Sequence, residues 1–271
     1  MIPKILHFTW LIPADGGRAF NIHHMASVKS AHFYNPDFKV RFHCNKLPTG
    51  EYFESIRDII EINYVETPEE VFGIPIKYMA MKADVLRLRI LIDEGGVYQD
   101  PDVITMRSYE DLLNNEVCLG YELSDKLNLR QVFYFVRTFD FDVLKYRFRI
   151  PAGLCSGFIM AEKNSVFMRD WLEGYKDFNN DNWSYFPVKL PLIMYKTGKY
   201  RVHTISPYQA HFPSCSPADL KLIFEQNLVI KGKYFLHTWE SKSYEKYLKP
   251  LTREKILSSN NTYCNAIKRF V

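Results

Sequence analysis

The sequence has no close pair of cysteines. Its five, Cys44, Cys118, Cys155, Cys215 and Cys264, are far apart, odd in number and without a C-x-x-C spacing. A disulfide framework or a structural zinc site needs closer pairs, so these are expected to be reduced packing residues in a reducing, cytoplasmic compartment. No apolar run reaches the length that spans a bilayer, and Met1 to Trp10 is too short and too quickly polar to be expected as a signal peptide or anchor. Without a secretory route, the sequons Asn182-Trp183-Ser184 and Asn260-Asn261-Thr262 carry little weight. Charge of one sign is also missing: 35 basic and 31 acidic residues are mixed along the chain, for a net +4. The one-sided field of a duplex-binding protein is therefore absent, and nucleic acid is not an expected partner. There is no internal repeat and no low-complexity tract.

What remains is an ordinary globular composition, 47% apolar over 271 residues, enough for one large domain with a sizeable core. Residues 2–9 form a short apolar run, and 38–44, Phe-Lys-Val-Arg-Phe-His-Cys, alternate between apolar and polar side chains; both predict strands. Between them 20–34 carries a helical pattern closed by Asn35-Pro36-Asp37. A helix is expected over 51–60, a strand over 62–66, and a long helix over 77–93, where Met81, Val85, Leu88 and Leu91 or Ile92 recur at three- and four-residue spacing. Gly95-Gly96 closes that helix by taking a left-handed conformation, and Val97-Tyr98 opens a new strand. Strands alternating with helices predict an α/β domain with a mostly parallel sheet.

The second half is more mixed. Strands are predicted near 116–121 and 157–161, a helix from Ser165 to about Tyr175, loops and short helices over 176–190, and one amphipathic helix from Leu251 onward. Lys145-Tyr146-Arg147-Phe148-Arg149 alternates basic and aromatic residues. It reads as a half-exposed strand with a wet basic face; the other reading is a grip on a phosphorylated or lipid-linked acceptor, or peripheral contact with an anionic inner-membrane surface. The division expected is into two halves, 1–110 and 111–271, within one domain.

Asp100 and Asp102 carry the chemistry. They are two carboxylates at i, i+2 directly after a short strand, separated by a proline that stiffens the link. Strand geometry would point both to one face, at the C-terminal end of a strand where open α/β sheets bind ligands. Such a pair suits a divalent ion shared with substrate phosphates. An isolated D-x-D is more often a solvated acidic turn, so its surroundings decide.

Those surroundings are Lys82-Ala83-Asp84-Val85-Leu86-Arg87 and Gly95-Gly96-Val97-Tyr98-Gln99-Asp100-Pro101-Asp102. They closely resemble the signature of the D-x-D glycosyltransferases that include family 32 sugar transferases, α1,4-galactosyltransferases and the glucosylating domains of large clostridial toxins. Asp84, Arg87, Gly95, Gly96, Tyr98, Asp100 and Asp102 all fall at matching places. Ile2 to Trp10 looks like the family's opening strand, and His237-Thr238-Trp239-Glu240-Ser241-Lys242-Ser243 is similar to its returning His-x-Trp segment; 153–162 and 205–213 match more loosely. Pro101, Gln99 and Ala83 depart from the commoner residues at their positions.

The resemblance implies a GT-A-like, Rossmann-like sheet flanked by helices, with a mixed acceptor-side lobe. It also implies a metal-dependent transfer of a hexose from a nucleoside-diphosphate sugar, UDP favoured over GDP, to a glycan or lipid-linked glycan, with anomeric retention. Mn2+ or Mg2+ would be held by Asp102 directly, by Asp100 through water, and by His237. Trp10 would stack on the base, although a core tryptophan is an equal reading. Asp84 and Arg87 would face the sugar and phosphate, the alternative being a surface ion pair of little energetic weight. Tyr98 is either a nucleotide contact or a strand residue. Trp239, Ser241, Lys242 and Ser243 are expected around the diphosphate. Asp102 is expected to be exposed and to contribute little to the core. A nucleotide-sugar hydrolase, a nucleotidyltransferase or a non-catalytic binding protein are the competing readings of the same residues.

Overall fold

The computed structural model describes residues 1–124, 151–228 and 230–271, so the basic segment 145–149 lies outside the described residues. The strands are β1 (Ile5–Trp10), β2 (Lys39–Cys44), β3 (Glu61–Tyr64), β4 (Glu70–Val71), β5 (Ile74–Pro75), β6 (Gly96–Gln99), β7 (Val103–Thr105), β8 (Val117–Leu123), β9 (Pro151–Ala161), β10 (Val202–Ile205) and β11 (Phe235–His237). The main helices of the first half are α1 (Ile22–Tyr34), the single-turn α2 (Glu51–Glu54) and α3 (Met79–Glu94). Seven strands form one sheet in the order β10-β8-β9-β6-β1-β2-β3. The pairs β3·β2, β2·β1, β1·β6 and β8·β10 are parallel, whereas β9 runs antiparallel to both neighbours. The sheet is thus mostly parallel, as the alternation of strands and helices predicts, with one reversed strand that the sequence pattern does not reveal.

Side-chain alternation sorts the sheet into two cores. Leu6, Phe8, Val40, Phe42, Val97 and Met160 join one cluster with Met25 and Val28 of α1 and Tyr263 and Ile267 near the C-terminus. Tyr98, Leu119 and Ile159 join the other with Val85, Leu88 and Leu91 of α3 and with Phe167 and Trp171. Successive strand residues point to opposite faces, so a sheet covered on both sides needs apolar residues at nearly every position of its central strands. β6 and most of β9 are buried, with Gln99 and Ser156 as polar exceptions.

Gly95 closes α3 at φ 68°, ψ −165°, a region open essentially to glycine and different from the left-handed helical conformation expected. Space enforces the same choice, since a Cβ at Gly95 would lie 2.5 Å from the Lys163 backbone nitrogen and one at Gly96 2.7 Å from the Ile5 carbonyl. Two predicted helices are broken. Residues 51–60 form α2 followed by a 3-10 turn at Arg57–Ile59, and the C-terminal segment forms Arg253–Ser258 and Thr262–Ile267. In the latter case the Asn261 side chain accepts from the Cys264 amide and starts a second helix, which ends the first. None of the five cysteines is in a disulfide. Among the described residues no helix is long and apolar enough to cross a membrane.

On the second face of β1 and β2 lie two buried histidines whose protons are fixed by hydrogen-bond accounting. His7 Nε2 lies 2.8 Å from the Gly95 carbonyl, to which it can only donate, so its Nδ1 accepts from His43 Nε2 at 2.9 Å. His43 Nδ1 then accepts from the Asn63 amide at 2.9 Å. Both rings are neutral in the fold: burial pushes His7 down to about 4, and burial together with the neighbouring His7 pushes His43 down to about 3, from an ordinary 6.5. Because the unfolded chain binds protons below pH 6.5 and the fold does not until about 4, this stability is complete above pH 6.5 and is lost as pH falls. Thermal melts should therefore show a Tm that declines on the order of 5–10 °C between pH 7 and 5. A Tm unchanged across that range would show that the imidazoles are not excluded from protonation.

Candidate functional site

β6 delivers Gln99 and Asp100 to the C-terminal edge of the sheet, and the chain then turns through Pro101-Asp102 into β7. The two carboxylates converge through this turn, not through the strand alternation expected from sequence. Its frame is hydrogen bonded: the Asp100 amide donates to the Gly157 carbonyl at 2.8 Å and the Val103 amide to the Asp100 carbonyl at 3.0 Å. Gln99, the departure from the usual apolar residue, is fully buried beneath it. Its amide nitrogen donates to the Val103 carbonyl, and its oxygen accepts from Thr105 and Tyr109 hydroxyls at 3.1 and 3.0 Å. The unusual residue pins the turn.

Asp100 is held from below and from the side. Tyr98, wholly buried, donates its hydroxyl to Asp100 Oδ1 at 2.7 Å and so must accept from Thr9 Oγ1 at 2.9 Å. Tyr98 is placed to aim Asp100 and offers no face to a nucleotide. Arg87 lies over the Tyr98 ring, 4.6 Å from its centroid, with Nη1 3.3 Å from Asp100 Oδ1 and Nη2 3.3 Å from Asp84 Oδ1. This is a buried charge group and not a helix-surface pair, since the Arg87 and Asp84 side chains are only 7% and 13% exposed. Ser156, which motif reading missed, accepts from Arg87 Nη1 with its carbonyl at 2.8 Å and lies 3.4 Å from Asp84 through its hydroxyl. Burial opposes the charge on Arg87, but Asp100 and Asp84 more than offset it and hold the guanidinium protonated. At Asp84 burial wins over the Arg87 charge and pushes the carboxyl up to about 6.

Asp102 is also buried, which corrects the expectation of an exposed carboxylate. The cause is the C-terminal segment. β11 pairs antiparallel with β7, setting His237 opposite Val103. The Thr238 amide and hydroxyl both donate to the Asp102 carbonyl at 2.9 Å, the Glu240 amide donates to Asp102 Oδ2 at 2.7 Å, and His237 Nε2 lies 3.3 Å from the same oxygen. Burial opposes ionisation of Asp102, but the charge and hydrogen bond of His237 lower it, and the carboxylate in turn raises His237 against its own burial. Asp100, Asp102 and His237 each offer a ligand atom, all within 4.8 Å of one another. Two hard oxygens and an imidazole nitrogen suit Mn2+ or Mg2+ completed by water and phosphate.

The other residues of the returning segment divide. Trp239 is buried, adopts φ 56°, ψ 54°, stacks on the His237 ring at 3.9 Å and donates Nε1 to the Pro213 carbonyl at 2.9 Å; it is a platform for His237. Ser243 is buried with a hydroxyl that has no partner among the described residues, so it is not presented to a diphosphate. Lys242 lines a separate cleft of about 400 Å3 with Leu220, Lys221, Lys246 and Tyr247. Ser241 is exposed beside it. Trp10 is part-exposed at the C-terminal end of β1, met edge-on by Phe20 and His24 at 5.2 and 4.5 Å.

A second cluster, His23, His24 and Glu240, also has ligand-like spacing. Its protons speak against a metal. The Asn21 amide donates to His24 Nδ1 at 3.1 Å, so a neutral ring carries its proton on Nε2, which faces Glu240 Oε2 at 3.3 Å. Arg18 adds a further contact to Glu240 at 3.0 Å. Burial opposes its charge, but His23 and His24 hold the Glu240 carboxyl well below its ordinary range. The cluster fixes the residue whose amide grips Asp102.

Gly157 is where the two carboxylate supports meet. A Cβ there would lie 3.0 Å from Asp100 Oδ2 and 3.1 Å from His237 Cε1. Gly157→Ala should therefore displace both groups by a few tenths of an ångström and reduce turnover roughly ten- to hundredfold while Tm changes little. Steady-state rates at wild-type level would show that the site is more tolerant than this spacing allows.

The description "glycosyltransferase sugar-binding region containing DXD motif" matches residues 22–119, which span α1 to β8 and include both aspartates. The chain is 27% identical over 278 residues to glucan organizing enzyme 1 of Cryptococcus neoformans var. grubii, covering all of this chain and 71% of that protein. The fold is similar to that of the glycosyltransferase GlyE of Streptococcus pneumoniae, with a TM-score of 0.50, 11% identity, and coverage of 91% of this chain and 57% of that one. A looser superposition, TM-score 0.45 and 13% identity, covers 99% of this chain and 87% of the PaToxG glycosyltransferase. The fold is similar to the GT-A fold, and residues 22–119 match the DXD-containing sugar-binding region described for glycosyltransferases.

Proposed function

We propose that this enzyme transfers a hexose from a nucleoside-diphosphate sugar to an acceptor hydroxyl at the site formed by Asp84, Arg87, Asp100, Asp102 and His237. The observation that carries the reading is the convergence of two carboxylates and one imidazole at a sheet's C-terminal edge, beside a buried guanidinium. A divalent ion held there, Mn2+ or Mg2+, supplies positive charge against the charge that develops on a departing diphosphate. Asp102 and His237 would hold it, with Asp100 contributing through water. Arg87 spans Asp84 and Asp100 and sets both carboxylates at a fixed separation. Asp84, with its carboxyl raised to about 6, is suited to either donating to or accepting from a sugar hydroxyl. In transfer the bond from the anomeric carbon to the phosphate oxygen breaks and one to the acceptor oxygen forms. A phosphate oxygen of the leaving group takes the acceptor's proton, which permits retention without a side-chain base.

Residues 1–110 with the returning 235–240 segment would make the donor site, and 111–271 the acceptor side. Trp10, part-exposed at the C-terminal end of β1, is the proposed base contact, and UDP is favoured over GDP on resemblance. The name of the Cryptococcus relative supports a glycan acceptor, free or lipid-linked, and polysaccharide synthesis as the setting. Cytoplasmic residence at an inner membrane surface completes the proposal.

Because Asp102 is buried and clamped, truncation to alanine would disturb the fold, and Asp102→Asn is the cleaner probe. It keeps an acceptor for the Glu240 amide and removes the ligand charge. Calorimetry should show Mn2+-dependent UDP or GDP binding weakened at least about tenfold, with metal-independent binding retained. Unchanged metal-dependent binding would refute the ligand assignment. Product analysis with sugar-labelled donor in the wild type should place label on an acceptor; free sugar alone would indicate a hydrolase, and released pyrophosphate a nucleotidyltransferase.

A further inference from the structure

His237 can meet a divalent ion through Nε2 only if that nitrogen carries a lone pair, and a second histidine bears on whether it does. His237 Nδ1 lies 3.1 Å from Nδ1 of His211, both rings being buried. Two ring nitrogens at that distance share one proton, so one donates and the other accepts. If His211 donates, a neutral His237 holds its proton on Nε2, directed at Asp102, and has no lone pair for an ion. If His211 accepts, His237 holds its proton on Nδ1 and Nε2 is free.

The second arrangement places the remaining proton of His211 on its Nε2. That atom is buried and has no hydrogen-bond partner among the described residues. Cys155 Sγ lies within 4.8 Å of a nitrogen of each ring and is a soft, weak acceptor in the same pocket. The His211 ring is confined as well. A Cβ on Gly120 would lie 2.6 Å from its Cδ2, so the glycine is what lets the ring sit there, and Phe235 meets it edge-on at 4.9 Å. The loop that carries it is tied to the β11 side by the Tyr234 amide, which donates to the Gln209 carbonyl at 2.8 Å, and by buried Lys233, which donates to the Tyr208 carbonyl.

Resting on the proposed metal site, we infer that His211 is the positioning residue that accepts the Nδ1 proton of His237 and so leaves His237 Nε2 free for the divalent ion. It touches neither ion nor substrate. Its effect is on which nitrogen of its neighbour is available.

The direct test is the proton position. In the wild type with Mg2+ and UDP, 15N spectra of labelled imidazoles should show His237 protonated at Nδ1 and His211 at Nε2; a proton on His237 Nε2 in that complex overturns the inference. Variants supply an independent test, because Asn offers a carbonyl oxygen near the place of Nδ1 whereas Phe keeps the bulk and offers no acceptor. Mn2+ affinity in the presence of UDP, read from the free-ion electron paramagnetic resonance signal, should fall roughly ten- to hundredfold in His211→Phe and stay within about threefold in His211→Asn. Melts without metal establish that each variant folds, and the Mn2+-induced rise in Tm should shrink in step with affinity. A folded Phe variant with wild-type affinity, or an Asn variant no better than Phe, refutes the role of His211 alone. A wild type that binds no Mn2+ refutes the metal site on which the inference rests.

Discussion

Asp102 accepts the Glu240 amide on its carboxylate and both donors of Thr238 on its carbonyl, and with these few bonds it joins segments more than 130 residues apart. Closing so long a loop carries an entropic cost that a few hydrogen bonds alone do not offset. The balance comes from the neighbouring β7·β11 ladder and the packing beneath it, where Phe235, Ile104 and Phe158 are fully buried in one cluster. With that clasp in place, His237 stands beside the aspartates, Trp239 lies under His237, and Glu240 reaches the histidines at the start of α1. Without it the D-x-D turn would keep its two carboxylates and lose the imidazole beside them.

A second constraint is electrostatic. Arg87 is a buried cation whose partners, Asp84 and Asp100, come from its own helix and from the end of β6. Removing one member of such a group leaves an uncompensated charge and typically costs about 3–5 kcal/mol, so the three are bound to occur together. Burial raises the Asp84 carboxyl to about 6. Asp100 accepts hydrogen bonds from both Tyr98 and Arg87.

Histidine protons make a third theme. In the pair His7 and His43, a carbonyl at one end and an amide at the other leave a single consistent assignment, and the rings serve as neutral structural groups. At His24 a backbone amide fixes the ring as a donor to Glu240, which removes it from metal chemistry. At His211 and His237 the network ends on an unpaired nitrogen, and that pair lies against the acidic site; His23 and His32 also hold buried ring nitrogens without a hydrogen-bond partner among the described residues. The His7, His43 and His24 rings are assigned by their partners, whereas the His211 and His237 pair admits two arrangements.

The sequence by itself determined the α/β alternation, the long α3 stripe of Met81, Val85, Leu88 and Leu91, the glycine break at its end, and the group Asp84, Arg87, Asp100 and Asp102. Those features are local: helical and strand periodicity, glycine's conformational freedom and short motif spacing all act within a dozen or so residues. Tertiary structure decided the reversed direction of β9, the turn that brings the carboxylates together, and the burial of Asp102, Tyr98 and Ser243. It also decided that Gln99 pins the turn, that Ser156 and Gly157 belong to the site, and that His211 stands behind His237. Each of these depends on which distant segment packs against the motif, and a hydrogen bond between residues far apart leaves no periodic trace in either stretch of chain.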